Sequence, residues 1–216
     1  VRRNGGGISF GSTVASLAQL DRSGLALGSA ALTGFMAMGL FPEGTSPYRE
    51  VSKIAPGTLS TWTDHGNGAW KVDSVRTSPS GWPELTVQEA LEDSVRAHLV
   101  SDVEVGVLLS GGVDSTLLAA LASRVNPDIR TFCLTKPENV DIDEAALARH
   151  NASLLGTRHV AVPVTPSSLA PRAEALIAST GEPFSDAAYL PLSALCEVVS
   201  QDVKVALAGE GADELF

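Results

Sequence analysis

The sequence predicts an α/β protein built on a parallel sheet, and three observations carry that expectation. From about residue 85 onward, short apolar runs alternate with stretches of helical periodicity, the pattern of a parallel sheet covered on both faces. Two of the runs, VGVLL and VKVALA, break off in glycine-containing loops, which is where such sheets bind ligands. The composition is that of a globular chain: 216 residues, 44% hydrophobic and 19% charged.

The elements follow in order. Before residue 63, ISFGS and PGTLSTW read as short strands flanking a helical segment from Ser29 to Leu40, with turn signals at PEGTSP. This half lacks a complete core of its own. Residues 64–83 mix Gly, Ser, Pro and Asn without lasting periodicity and read as a linker. A helix is expected from Leu85 to Val100, because Val87, Ala90, Leu91, Val95 and Leu99 recur at helical spacing, and Thr86 with Glu89 suits a capping box. Strands then fall at 104–109, 129–134, 158–162 and 203–208, with helices at 115–124, 143–156, 168–180 and 187–200.

A net charge of −10, with only 15 scattered Lys and Arg, argues against a nucleic-acid surface, since phosphate neutralisation needs clustered cations. The apolar stretch Leu25–Leu40 is interrupted by Gly28, Ser29, Thr33, Gly34 and Gly39, too short and too mixed for a membrane span. Cys133 and Cys196 lie far apart in apolar segments and read as buried reduced thiols, so a cytoplasmic chain is expected. The first residue is Val, with no targeting pattern after it, and a fragment of a longer protein is expected.

The first loop, SGGVDST, leaves its strand at Ser110. Gly111 and Gly112 permit a tight turn and close backbone approach, and Ser115 and Thr116 open a helix whose unsatisfied N–H groups attract an anion. This describes a phosphate cradle, but neither GxxxxGK[ST] nor GxGxxG is present. Asp114 would repel a phosphate unless a divalent cation bridged the two, so Mg²⁺ is implied. The bland alternative is a Gly-Gly turn with Asp as a helix cap. In the second loop, LAGEGADELF, Glu210, Asp213 and Glu214 crowd together after another strand. An acidic helix start would explain these alone; two such loops at strand ends favour a nucleotide polyphosphate with Mg²⁺. Asp143 and Glu144 read as helix caps, His150 and His159 as ordinary surface or packed histidines, and Cys133 as a core residue with no His nearby to activate it.

SGGVDST resembles the pyrophosphate loop of N-type ATP pyrophosphatases, and AGEGADELF resembles the second loop of asparagine synthetases. DEAALARHNASLLGTRH and GEPFSDAAYLP are similar to intervening segments of that family, and FGSTVASL with GLFPEGTSPYREVSKIAPGTLSTW resembles the close of its glutaminase domain. The resemblance implies an adenine-nucleotide alpha-hydrolase (PP-loop) fold over 84–216, truncated, preceded by the C-terminal remnant of an Ntn-type glutaminase domain over 1–63. The implied activity is ATP-dependent amidation of aspartate to asparagine through a β-aspartyl-AMP intermediate, with ammonia from glutamine.

Carried onto this chain, Ser110, Gly111, Gly112, Asp114 and Ser115 would hold pyrophosphate and Mg²⁺, and Leu108, Leu134 and Gly209 would line the AMP portion. Asp213 is assigned to Mg²⁺ and Glu210 to proton handling during ammonia attack. Ala208 stands where the family often has Ser, and Val160 follows His159 where a second His is common. The family's nucleophilic N-terminal Cys is expected upstream of Val1, and further synthetase helices after Phe216. The isolated 216 residues are therefore expected to aggregate or need a partner. The expected partners are small molecules (ATP, aspartate, glutamine or ammonia), with neither nucleic acid nor membrane and a homodimer of the full-length protein. The alternatives are another carboxylate acceptor, as in β-lactam synthetases and peptide cyclases, or a non-catalytic relic of the fold.

Overall fold

A computed structural model describes residues 1–4, 7–66, 69–77, 84–135 and 144–213. They fall into two units, Val1–Trp82 with Ala173–Asp186, and Pro83–Arg172 with Ala187–Phe216.

In the first unit, β1 (Arg2–Asn4) pairs antiparallel with β2 (Gly7–Ser9). Helix α1 (Val14–Leu20) was not expected; it starts where the Thr13 hydroxyl accepts the Ser16 N–H at 3.2 Å. Val14 and Leu17 of α1 bury with Val51 against Leu25 and Tyr48, a small core. Arg2 is also buried there, donating to the carbonyls of Asp21 and Ser23 and lying 3.4 Å from the Asp21 carboxylate. Helix α2 (Ser29–Met38) occupies the expected helical segment and ends on Gly39. None of its residues is buried, and Met36 is exposed.

Strands β3 (Thr58–Asp64) and β4 (Trp70–Arg76) form an antiparallel hairpin. This corrects the reading of 64–83 as irregular throughout. Trp70 and Val72 alternate with Lys71 and Asp73, and Val72 opposes Trp62, so cross-strand packing of one apolar face orders a stretch whose composition alone suggests a linker. The rest of that stretch, 67–68 and 78–83, lies outside the described residues.

The second unit begins with α3 (Val87–His98), capped as expected: Glu89 N–H donates to the Thr86 hydroxyl at 3.3 Å and Thr86 N–H to the Glu89 carboxylate at 2.8 Å. Then come β5 (Val105–Leu108), α4 (Val113–Val125), β6 (Arg130–Thr135), α5 (Glu144–Leu155), β7 (Arg158–Pro163), α6 (Pro166–Thr180), α7 (Tyr189–Asp202) and β8 (Val205–Leu207). Residues of α6 from Ala173 onward group with the first unit. The strands form one parallel sheet in the order β7-β6-β5-β8.

Side chains alternate across this sheet. Val107, Leu109, Ile129 and Cys133 pack with Val95 of α3, Ala119 and Ala122 of α4, and Ala145, Ala148 and Ala152 of α5. Phe132 and Val162 point the other way and pack with Leu195 and Val199 of α7. Cys196 faces out from α7 and is exposed, contrary to the expectation of two buried thiols; the buried positions on that helix are Ala194, Leu195 and Val199, and Cys196 falls off their stripe. Among the described residues no helix is long and apolar enough to cross a membrane.

The strand order positions the loops. Strand β8 lies beside β5 on the side opposite β6, so the direction of winding reverses between β5 and β8. In open α/β sheets a reversal of this kind is where ligands bind, beyond the carboxyl ends of the strands.

Candidate functional site

Strand β5 hands over to the first loop after Leu109, whose N–H donates to the Phe132 carbonyl at 2.7 Å. The chain then turns sharply at Gly111, which has φ +90. A Cβ there would lie 2.9 Å from the Ala148 backbone N and 3.1 Å from the Glu144 carbonyl O, so only glycine lets the loop seat against α5.

Helix α4 starts earlier than expected. Its N-cap is Gly112, so Asp114, Ser115 and Thr116 lie inside the first turn rather than ahead of it. Gly112 has no side chain with which to cap: Thr116 N–H donates to the Gly112 carbonyl at 3.0 Å, and the N–H groups ahead of it in the turn have no side-chain cap. Together with the positive end of the helix dipole they suit an anion.

The hydroxyls divide the work. Ser115 is buried, and its Oγ lies 3.2 Å from the Ser110 N–H, 2.9 Å from the Ser110 Oγ and 3.2 Å from the Gly112 carbonyl O. It stitches the loop to itself. Ser110 is exposed, and its hydroxyl also accepts the Gly112 N–H at 3.4 Å.

The second loop arrives from β8. Gly209 packs so closely on the start of α4 that a Cβ would lie 3.2 Å from Ser115 N and 3.3 Å from Asp114 Cβ. The two glycine loops, far apart in sequence, therefore meet at Asp114 and Ser115. Beyond Gly209 the chain turns through Gly211, at φ +88, with Glu210 and Asp213 exposed on either side. Glu214 and Asp143 lie outside the described residues. Leu108 and Leu134 are half-buried and pack against the Phe132 cluster on the α7 side of the sheet.

Among the described residues no three His, Cys, Asp or Glu side chains converge as a metal cage. Asp114 puts one carboxylate in the first turn of α4, and a single carboxylate there fits Mg²⁺, which in nucleotide sites takes one or two carboxylates and otherwise phosphate and water oxygens.

Two features were missed in the sequence. The Asn151 side chain on α5 donates to the Thr116 hydroxyl at 2.9 Å and to the Gly111 carbonyl at 3.4 Å, bracing the first loop from behind. The signal was an amide at helical spacing from Ala148 and Leu155, on the face that packs on the sheet; a polar group there needs a partner. Cys133 also has a His beside it after all. His159 sits on neighbouring β7, with Nε2 3.3 Å from the Cys133 Sγ and Nδ1 2.9 Å from the Thr131 hydroxyl. Only strand pairing creates that proximity. Burial, and secondarily the Arg149 charge, hold the His159 pKa below its ordinary value. His150 is exposed, as expected.

A family model described as Asparagine synthase matches residues 86–216. "Asparagine synthetase [glutamine-hydrolyzing] 1" of Bacillus subtilis (strain 168) is 31% identical over 192 residues, covering 86% of this chain and 30% of that protein. A "Putative asparagine synthetase [glutamine-hydrolyzing]" of Mycobacterium bovis is 42% identical over 135 residues, covering 62% of this chain and 20% of that protein. "Amidase chyE" of Penicillium rubens is 31% identical over 145 residues, covering 60% of this chain and 22% of that protein. The chain thus spans less than a third of the length of each of these relatives.

Proposed function

Because the chain belongs to the asparagine synthase family, we propose that its second unit is the nucleotide-binding part of a ligase that uses ATP to convert aspartate to asparagine. The observation that carries this reading is the contact of Gly209 with Asp114 and Ser115 at the uncapped start of α4. It brings the second glycine loop onto the helix N-terminus that carries Asp114, at one switch point of a parallel sheet, a place suited to a nucleotide polyphosphate.

A carboxylate is a poor electrophile, and its oxygen a poor leaving group, so amidation needs activation. In the proposed reaction an oxygen of the aspartate side chain bonds to the α-phosphorus of ATP as the bond from that phosphorus to the bridging oxygen of the β-phosphate breaks, releasing pyrophosphate. Ammonia then adds to the carbonyl carbon of the β-aspartyl-AMP, AMP departs, and a proton is lost from nitrogen. Ser110, Gly111, Gly112, Asp114 and Ser115 hold the pyrophosphate portion through N–H and hydroxyl donors, with Ser115 also fixing the loop's shape. Leu108, Leu134 and Gly209 line the AMP portion. Glu210 takes the proton. Asp114 and Asp213 are the carboxylates to hold Mg²⁺, which when bound neutralises phosphate charge.

We also propose that residues 1–63 close a glutaminase domain that supplies the ammonia, with residues 64–83 leading into the synthetase domain at 84. In support, the alignment with the Bacillus subtilis relative covers more of the chain than residues 86–216 contain. A second reading keeps the adenylation and changes the acceptor, and the relative named as an amidase favours it. Pyrophosphate release by the full-length protein, with aspartate against other carboxylates, separates the two. Titration calorimetry with MgATP tests the site itself: Asp114→Ala should weaken binding about tenfold or more, and unchanged affinity would sink the assignment.

A further inference from the structure

We infer that Asn151 is a positioning residue that fixes the Gly111–Gly112 peptide so that the Gly112 N–H faces the phosphate side of the first loop. The inference rests on the ATP-binding reading of that loop and adds to it a residue outside both glycine motifs.

A carbonyl oxygen can only accept, so the Asn151 atom facing the Gly111 oxygen is the amide nitrogen, and its two hydrogens serve two partners. One goes to the Gly111 carbonyl, at 3.4 Å, and the other to the Thr116 hydroxyl, at 2.9 Å. The amide therefore clamps the turn and the first turn of α4 to the same point on α5. A trans peptide is planar, with its N–H opposite its C=O. Drawing the Gly111 oxygen toward α5 consequently turns the Gly112 N–H away from α5, to the side where it meets the Ser110 hydroxyl at 3.4 Å.

The lock has something to resist. A peptide between two glycines rotates more easily than any other, because neither residue has a Cβ to obstruct the alternative φ and ψ. Rotated by half a turn, the same peptide would present the Gly111 oxygen to a polyphosphate, placing an acceptor against an anion where a donor is required. Ser115 does not prevent this, since its bonds go to Ser110 and to the Gly112 carbonyl, on either side of that peptide. Asn151 holds the Gly111 oxygen itself.

The test measures binding of magnesium pyrophosphate and of AMP, separately, to the full-length protein and to its Asn151→Leu and Asn151→Asp variants. Leu removes both donors at similar volume; Asp keeps the shape of Asn but turns an acceptor toward the Gly111 oxygen. Pyrophosphate affinity should fall about three- to tenfold in the Leu variant and further in the Asp variant, with AMP affinity unchanged within about twofold. In steady state, KM for ATP should rise more than kcat falls. Equal weakening of both ligands would mean that Asn151 only supports the domain, and unchanged pyrophosphate affinity would remove any role; either overturns the inference. If the unmodified protein bound neither ligand, the nucleotide reading itself would fail, a result distinct from both.

Discussion

Adding one methyl group to each of two adjacent glycines should give opposite phenotypes. At Gly111 the backbone sits at φ +90, which costs an L-residue about 1–2 kcal/mol. The new Cβ would also fall 2.9 Å from Ala148 N and 3.1 Å from both the Glu144 carbonyl O and Leu147 Cβ. Two of these three neighbours are helix backbone, which does not yield cheaply, and overpacking of this kind costs about 1–3 kcal/mol more. Gly111→Ala should therefore destabilise the domain by about 2–5 kcal/mol, a large share of the roughly 5–15 kcal/mol that holds a domain together. At Gly112, φ is −65 and the nearest atom to an added Cβ is the Ser110 Oγ at 3.5 Å, an ordinary contact. Gly112→Ala should cost below about 1 kcal/mol in stability. It should nevertheless weaken pyrophosphate binding about tenfold, because the methyl group occupies the space a phosphate needs to reach the backbone. The assays are urea denaturation of the full-length protein followed by far-UV circular dichroism, since Trp62, Trp70 and Trp82 all lie in the first unit, and pyrophosphate titration. A Gly111→Ala protein as stable as the parent, or a Gly112→Ala protein that binds pyrophosphate normally, would refute the division of roles.

Two further outcomes concern the scaffold. His159 is held neutral by burial and by Arg149, so its folded pKa lies below the unfolded value near 6.5. The unfolded chain then binds the extra proton first: this contribution to stability is complete above about pH 6.5 and is lost as pH falls toward the folded pKa. Denaturant midpoints at about pH 7.5 and 5.5 should show that loss, and His159→Gln should lessen it; an equal slope in the variant would clear His159. The capping box at the start of α3 makes Thr86→Ala cost about 1 kcal/mol in the same denaturation measured at pH 7, and an unchanged midpoint would mean that the helix end is frayed in solution.

The alternation of apolar runs with helical periodicity after residue 85 was enough to read the second unit's elements, because strands covered on both faces and helices covered on one leave different periods. The Thr86 cap was legible for the same reason, being local. The first unit was less so. Strand β4 reads as linker until Trp62 stands opposite Val72, and α1 is short enough that its apolar spacing has no time to repeat. Cys196 was misjudged because an apolar neighbourhood in sequence does not say which side of a helix a residue occupies.

The glycine loops themselves were in the sequence: any chain with SGGVDST and AGEGAD after two strands must turn sharply there and offer N–H groups. Their meeting was not. Nothing between Ser110 and Gly209 in the linear chain says that β8 pairs with β5 rather than with β7, and it is that pairing, closed by side chains buried on both faces of the sheet, that sets Gly209 on Asp114 and Ser115. The Asn151 brace and the His159–Cys133 contact arise in the same way. Local residue chemistry determined what each turn can offer; packing over long sequence separations decided which offers face one another, since a residue's partners across a sheet or beneath a helix are set by the register of elements it does not belong to.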